Sequence, residues 1–508
     1  MNVQSISPAV AVAIALFVIL SAPAHGGYPV DRPVRSIPAP MESNYVVHPD
    51  QLRQVIKGIG FEIQCDSIAS GNKSLPEETT SVPHDLVPEE RARFCREMLK
   101  GFRYCRLAGG LYWRGLDADQ KQLQPRWPEQ LAELREMIQV AGIEGIEFEY
   151  WSPAPYWKAN GRYAAAIPHD PENKLRCFGN KFDADPDYHG DTSRFLNDFA
   201  AACRNDLQTL KDNGLPVVFW GLQNEPFANV GYSSCAYTPA EYAQTFKVVA
   251  PVIRRFDPKI RIIADTDWSW KFRYIRSVLN DPASASLVDD LVIHHIGVDA
   301  KDDVPPIEPS GRPRFENEFE YLDGKTSSSR CLNTVEDIMN WFQLAHAPAW
   351  FWIHALKPTE NAEAPGYALG FWRPISAAGP ANDPQFRGLQ PGFWTWNNDN
   401  WFAVGSFTRH MPWNCQAVGV TEEVYDNDLR ILAFRRPNGK LSIVLSNRSF
   451  GPHTFHIDTG RDGTTFNGYR YTPNDAGDDC RGVELPALTG RIISPKLDDL
   501  SWEFWEEQ

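Results

Sequence analysis

Two stretches of the chain end an apolar run in carboxylates. Trp220–Phe227 reads WGLQNEPF, so that a hydrophobic segment closes on Asn224, Glu225 and a Pro. Farther along, RPRFENEF (312–319) runs on into Glu320 and Tyr321, with Glu316, Glu318 and Glu320 at alternate positions. Two carboxylates facing each other are what glycoside cleavage uses. One protonates the leaving oxygen, and the other attacks the anomeric carbon or activates water. A plainer reading exists for each stretch. Asn-Glu-Pro also ends ordinary strands in turns, and alternate acids can form one solvated face of a strand.

The elements around these stretches decide between the readings. Eight short apolar segments recur: 56–64, 101–109, 143–151, 216–223, 260–265, 290–295, 312–319 and 349–356. Amphipathic segments at 88–101, 127–142, 192–214 and 238–257 separate several of them, with Pro128 opening and Gly142 closing the second. Strands alternating with helices imply parallel strands and crossover helices, and eight repeats predict an α/β fold, a (β/α)8 barrel. The connection between the sixth and seventh strands, AKDDVPPIEPSG, holds little helix signal. In such a barrel the chemistry sits at the carboxyl ends of the strands. Glu225 ends the fourth strand and Glu318 the seventh. They lie 93 residues apart, three repeats of about 31 residues, and so face each other across the mouth. A strand buried on both sides has no solvated face, and an acid pointing into a barrel is costly unless it is used or paired.

From about Phe407 the texture changes to alternating apolar and polar residues with a Pro-Asn-Gly turn at 437–439, which predicts an antiparallel β-sandwich. The expected organisation is a signal peptide at 1–24, a Pro-rich lead-in at 25–45, a barrel at 46–400 and a sandwich at 401–508, to which residues 43–55 can add a strand. The signal peptide rests on Ala9–Leu20, twelve apolar residues followed by Ala22-Pro23-Ala24. That segment is short for a bilayer span, and it predicts a secreted or periplasmic protein without a membrane anchor.

A net charge of −15 disfavours nucleic acid and anionic membranes as partners and suits a neutral glycan. Seventeen Trp fit stacking on sugar rings as well as core packing. Nine cysteines without a C-x-x-C pair argue against zinc or redox motifs, and in an exported chain they predict disulfides, Cys177, Cys203 and Cys235 being placed to staple loops near Glu225. His294 and His295 are adjacent and point to opposite faces of a strand, so they do not share a metal ion. No nucleophile-elbow, phosphate-loop or dinucleotide motif is present, and no cofactor or metal is expected. The residues leave the oligomeric state open.

IKGIGFEIQ, EYWSPAPYWKANG, WGLQNEPF and GSFTRHMPWNCQAV followed by ILAFRRPNGKLSIVLSN, in that order, resemble successive motifs of glycoside hydrolase family 30. The resemblance spans most of residues 45–450. It implies a retaining enzyme acting on β-linked glycans, with Glu225 as acid/base and Glu318 as nucleophile. It further implies that Asn224 binds the sugar 2-hydroxyl, that Arg106 supports the ionised nucleophile, that Trp151 and His295 line the cleavage subsite, and that Trp352 forms a stacking floor. Departures are ENEFEY where the family shows Thr-Glu, which leaves Glu316 and Glu320 as rivals to Glu318, and Ile296 where an aromatic is usual. These point to a divergent subfamily with its own substrate. Two alternatives stand beside this reading: a non-catalytic carbohydrate-binding protein on a barrel scaffold, and a metal-dependent hydrolase using His294, His295 and neighbouring acids.

Overall fold

The computed structural model describes residues 40–63, 83–115, 117, 119–267, 273–294, 296–298, 301–305, 310–321, 328–359 and 365–508. The expected signal peptide, most of the lead-in, Cys65 and His295 lie outside these residues. No helix among the described residues is long and apolar enough to cross a membrane.

Strand β1 (Glu42–Ile56) precedes a closed parallel barrel. Its strands are β2 (Gly58–Ile63), β3 (Tyr104–Gly109), β4 (Gly145–Tyr150), β5 (Val217–Gly221), β6 (Arg261–Asp267), β7 (Asp290–His294), β8 (Arg314–Phe319) and β9 (Ala349–Trp352). Each falls within or beside one of the eight apolar segments. Helices Pro88–Arg93, Gln130–Ala141, Thr192–Asp212, Pro239–Phe256, Arg273–Leu279 and Ser328–Gln343 follow β2, β3, β4, β5, β6 and β8, and Asn398–His410 comes later, after β9. Between β7 and β8 the described residues carry only a short 3-10 turn, Lys301–Asp303, where the sequence offered little helix. Helix signals are read where they occur: Gly142 closes its helix in the left-handed region at φ 74°, and Thr238 and Glu241 form a reciprocal capping box at the start of Pro239–Phe256.

The eighth segment divides at Ile353. Its second half, β10 (His354–Pro358), leaves the barrel and joins β11 (Ala368–Trp372) and β12 (Trp394–Trp396) in a small separate sheet. The C-terminal sheet runs from β13 (Cys415–Glu422) through β14 (Leu429–Arg435), β15 (Leu441–Asn447) and β16 (His453–Asp458) to the final strand Ser501–Glu507. β1 is part of it, antiparallel to β13 and parallel to β16. Strands from both ends of this sheet feed one core that includes Val47, Ile431, Phe455, Phe466 and Trp505, so the sheet folds over on itself.

Inside the barrel the floor is aromatic. Tyr104, Phe219, Phe315 and Phe351, from β3, β5, β8 and β9, contact one another in a ring with centroid separations of 5.2–5.8 Å. Rings of this size each remove roughly 150–250 Å² of surface from water, and they close the barrel beneath whatever its mouth holds. The expected disulfides are not formed: the eight cysteines among the described residues, Cys177, Cys203 and Cys235 included, are buried and free. They sit as small apolar side chains within separate core elements, a role cysteine fills without bridging.

Candidate active site

Above the aromatic floor the barrel interior turns charged. Arg106 on β3 is fully buried and its guanidinium meets carboxylates from three other strands. Nη1 donates to Glu62 on β2 and to Glu318 on β8. Nη2 donates to Glu149 on β4 at 2.8 Å and to Asn224 Oδ1 at 2.5 Å, and Nε lies 3.9 Å from Glu147. Burial disfavours the Arg106 charge, but the carboxylates around it, Glu62, Glu318 and Glu149 foremost, outweigh it and hold the guanidinium protonated more firmly than usual. Gly221 leaves room for Glu149, since a Cβ there would stand 2.8 Å from its Oε1.

Glu147 is different in kind. Burial, opposed by Arg106 and reinforced by Glu149, pushes its carboxyl up to about 8. It is therefore a neutral acid at neutral pH, hydrogen-bonded by Asn317 Nδ2 at 2.7 Å.

Glu225 stands just beyond β5. The ladder with β4 persists to Asn224, whose N–H donates to Tyr150 O at 2.7 Å. Then the backbone turns sharply: Glu225 adopts φ 43°, a left-handed conformation that costs a non-Gly residue energy and recurs at functional sites. Its Oε2 accepts from Tyr232 O–H at 3.3 Å. Tyr232 lies on the loop after β5, its ring 5.6 Å from that of Trp151. Buried Lys158 ties this loop to the one after β4 by donating to Tyr163 O, Asn173 Oδ1 and Ser234 O; burial lowers its ammonium to about 8.

His294, fully buried at the end of β7, links the two candidate carboxylates. Its Nδ1 is 3.4 Å from Glu225 Oε1 and 3.6 Å from Glu318 Oε2, and its Nε2 is 3.5 Å from Arg106 Nη2. Nη2 already spends its two N–H groups on Glu149 and Asn224, so its approach to His294 is a contact and not a third full hydrogen bond. Arginine can only donate, which orients Asn224: with Oδ1 given to Arg106, its Nδ2 is the donor that remains. One ligand-type oxygen or nitrogen from each of Glu225, His294 and Glu318 lies within 4.8 Å of the others.

Of the three acids in ENEFEY, Glu316 and Glu318 lie on β8, and they point to opposite faces. On regular alternation Glu316, Glu318 and Glu320 would share a face. Instead, Ile293 pairs with Glu316 and the next residue, His294, pairs with Glu318. The ladder to β9 shows the same extra residue between Glu316 and Phe319. This β-bulge at Asn317 turns both Asn317 and Glu318 inward. Glu316 accepts from the N–H groups of Ile296 at 3.1 Å and Glu318 at 3.0 Å.

Glycosyl hydrolase family 30 is matched by its β-sandwich domain model over residues 415–471. The fold is like that of the catalytic domain of family 30 xylanase C from Talaromyces cellulolyticus, with a TM-score of 0.66 and 14% identity over 92% of this chain and 100% of that one. The chain resembles glycoside hydrolase family 30 in the sequence of its sandwich and in its fold. A family 30 subfamily 8 xylanase from Clostridium acetobutylicum gives a TM-score of 0.61 at 14% identity, covering 92% and 99% of the two chains. An endo-β-1,6-glucanase gives 0.64 at 12%, covering 91% and 94%. At such identities the likeness is one of fold. No curated protein matches the chain.

In this barrel the structure brings together Glu225, Glu318, Asn224, Arg106 and Trp151. Trp151 is buried, and the guanidinium of Arg106 lies 6.0 Å from the centre of its ring. Its Nε1 has no hydrogen-bond partner among the described residues. Trp352 is not in the group. It is fully buried, packs on Phe319 and Trp350, and donates from Nε1 to Tyr367 O at 3.1 Å. On the sixth barrel strand the described residue in the cluster is His294, and the expected His295 lies outside the described residues. Sequence reasoning also missed Glu62, Glu147 and Tyr232 as members. Acids inside the buried runs GFEI and GIEFEY were the available signal, because such residues are costly unless they have partners.

Proposed function

We propose that the protein is a secreted retaining glycosidase that cleaves β-linked oligo- or polysaccharides by double displacement. The observation that carries this reading is the pairing of Glu225 and Glu318, from the ends of β5 and β8, with carboxylate oxygens within 4.8 Å. Retaining enzymes hold their two carboxyls about 5–5.5 Å apart, while inverting enzymes need about 6.5–9.5 Å to seat a water.

Glu318 attacks the anomeric carbon as a carboxylate, with Arg106 Nη1 donating to it and stabilising its charge. Glu225 gives its proton to the departing glycosidic oxygen. In the second half, Glu225 takes a proton from water, the water opens the glycosyl–Glu318 ester, and both groups return to their starting states. The remaining Asn224 Nδ2 donor suits the sugar 2-hydroxyl. The Arg106 charge is already met by Glu62 and Glu149, so the described cluster offers no spare cation to a uronate, which favours a neutral glycan. The apolar Ala9–Leu20 segment followed by a small-x-small site supports export.

Glu225→Gln and Glu318→Gln, assayed separately on aryl β-glycosides and β-glucans, test the reading; wild-type rates in both would end it. The Glu225–His294–Glu318 geometry also favours a second reading, a metal-dependent hydrolase with the ion among those three side chains. Activity that is abolished by chelation and restored by a divalent cation would establish that alternative; activity untouched by a chelator supports the glycosidase without metal.

A further inference from the structure

The bulge on β8 decides which acid faces the barrel, and the structure shows what holds it. Phe315 joins the aromatic floor and Asn317 reaches Glu147, so both point inward. Without an extra residue, Glu318 would then point outward, toward the helices. A bulge leaves backbone donors out of the ladder, and buried donors need acceptors. Glu316 supplies them. It is fully buried, and its two oxygens take the N–H of Glu318 itself and the N–H of Ile296, two residues past His294. One carboxylate thus pins the strand end that carries Glu318 to the segment that follows His294. That segment is fastened on its other side as well. Ile296 O accepts from Trp341, Val298 N donates to Asp337, and Val298 O accepts from Asn340, all on helix Ser328–Gln343.

We propose that Glu316 is a positioning residue for catalysis: it holds the β8 bulge and the β7 exit together, and thereby aims Glu318 and His294 at each other and at Glu225. The proposal rests on the retaining reading of Glu318. It makes ENEFEY a functional unit in which Glu318 reacts and Glu316 sets its direction without touching substrate. A carboxylate suits the task because it accepts twice and donates nothing. Gln at this position offers one acceptor and one donor, so it satisfies one N–H and opposes the other.

The test has two arms. In the first, which needs no substrate, amide hydrogen exchange of Ile296 and Glu318 is compared in wild type and Glu316→Gln. The expected result is at least a tenfold loss of protection at these two amides, with the Phe315 and Ile293 amides unchanged. Protection equal to wild type overturns the proposal, whatever the enzyme's activity. In the second arm, kcat and KM are measured on the best aryl β-glycoside for Glu316→Gln and Glu316→Asp. The expected result is a kcat lower by about a hundredfold with KM within threefold, and with no rescue by azide, since the nucleophile is still present. An unchanged kcat overturns the positioning role. Glu318→Ala with azide is run beside them: if it yields no inverted glycosyl azide, the nucleophile assignment fails separately from the bulge. Should Glu316→Gln not fold, Asn317→Gly, which leaves both Glu316 bonds in place, is used for the exchange comparison. It must keep Ile296 and Glu318 protected, and loss of protection there would shift the role from Glu316 to Asn317.

Discussion

Two buried arginine clusters in this molecule solve the same electrostatic problem differently. At the seam between barrel and sandwich, Arg448 meets Glu336 at 3.2 Å and Asp428, and it donates to Asn333 at 2.6 Å. Nearby, Arg430 donates to Glu422 at 2.7 Å and to Asn340 at 2.9 Å. Two cations thus face three carboxylates, with amides of helix Ser328–Gln343 completing the bonds. Among the described residues of the barrel mouth, one cation faces four carboxyl groups, and Glu225 stands beyond. Buried charge survives when it is paired, and the seam is close to balance. The mouth is not, and one of its acids is held neutral to make it tolerable. A surplus of negative charge is what an oxocarbenium-like transition state would meet favourably. The seam joins two bodies, whereas the mouth keeps an imbalance in reserve.

The sharpest break of this contrast is to remove the reacting acid. Glu318→Ala is expected to lower kcat by roughly 10⁴-fold or more, as loss of a covalent nucleophile does. Azide should restore part of the rate and release a glycosyl azide of inverted configuration. A variant that keeps its rate, or whose azide product retains configuration, would place the nucleophile elsewhere.

Exchanging the two arginines in turn compares the clusters directly. Arg448→Met strips two buried carboxylates at the seam of their arginine and is expected to destabilise the fold by about 3–5 kcal/mol, while each folded molecule keeps its activity. Arg106→Met carries a similar cost in stability, and in addition the folded fraction should be inactive. Urea unfolding followed by active-site titration separates the two outcomes. Equal specific activity for both folded variants would mean that the mouth is merely another structural cluster.

Much of this was legible in the sequence, and the failures share a cause. The barrel strands end where apolar runs meet polar residues, and Glu225 and Glu318 are separated by a whole number of repeats. What alternation could not reveal is a change of parity. The bulge at Asn317 divides Glu316 from Glu318, although their spacing puts them on one face. At the end of β7 His294 faces inward, and on β9 the inward aromatic is Phe351, which leaves Trp352 packed on Phe319 and Trp350. Each of these is one residue away from the reading that the pattern favours, and a one-residue slip exchanges the two faces of a strand. Disulfides were expected from compartment alone. No local pattern marks a cysteine as bridged or buried free.

The neutral acid in the mouth predicts a pH signature. Glu147 moves from its ordinary 4.5 to about 8 on folding, chiefly through burial. A carboxyl raised in the folded state binds its proton more tightly there than in the unfolded chain. Its contribution to stability is complete below about 4.5 and is lost as pH rises through 8. Glu147→Gln, which mimics the neutral acid, should flatten the fall in urea midpoint between pH 5 and 9. Asp206, raised to about 8 by burial while hydrogen-bonded by Tyr150 O–H at 2.8 Å, contributes a second, independent part. The double variant with Asp206→Asn should therefore flatten it further. An unaltered pH slope in both would show that these acids ionise without cost and that the mouth has no need to hold one neutral.

The smallest effect is expected from Tyr232→Phe. Its hydroxyl meets Glu225 at 3.3 Å, a long contact for an O–H donor, so it contributes no more than an ordinary hydrogen bond does, about 1 kcal/mol. The ring remains to pack on Trp151. A three- to tenfold fall in kcat with KM nearly unchanged is the expected result. The step most affected should be the one in which Glu225 acts as an acid, so substrates with poor leaving groups should suffer more than activated aryl glycosides. A uniform loss across leaving groups would assign Tyr232 to binding instead, and would narrow the catalytic surplus of the mouth to the residues gathered on Arg106.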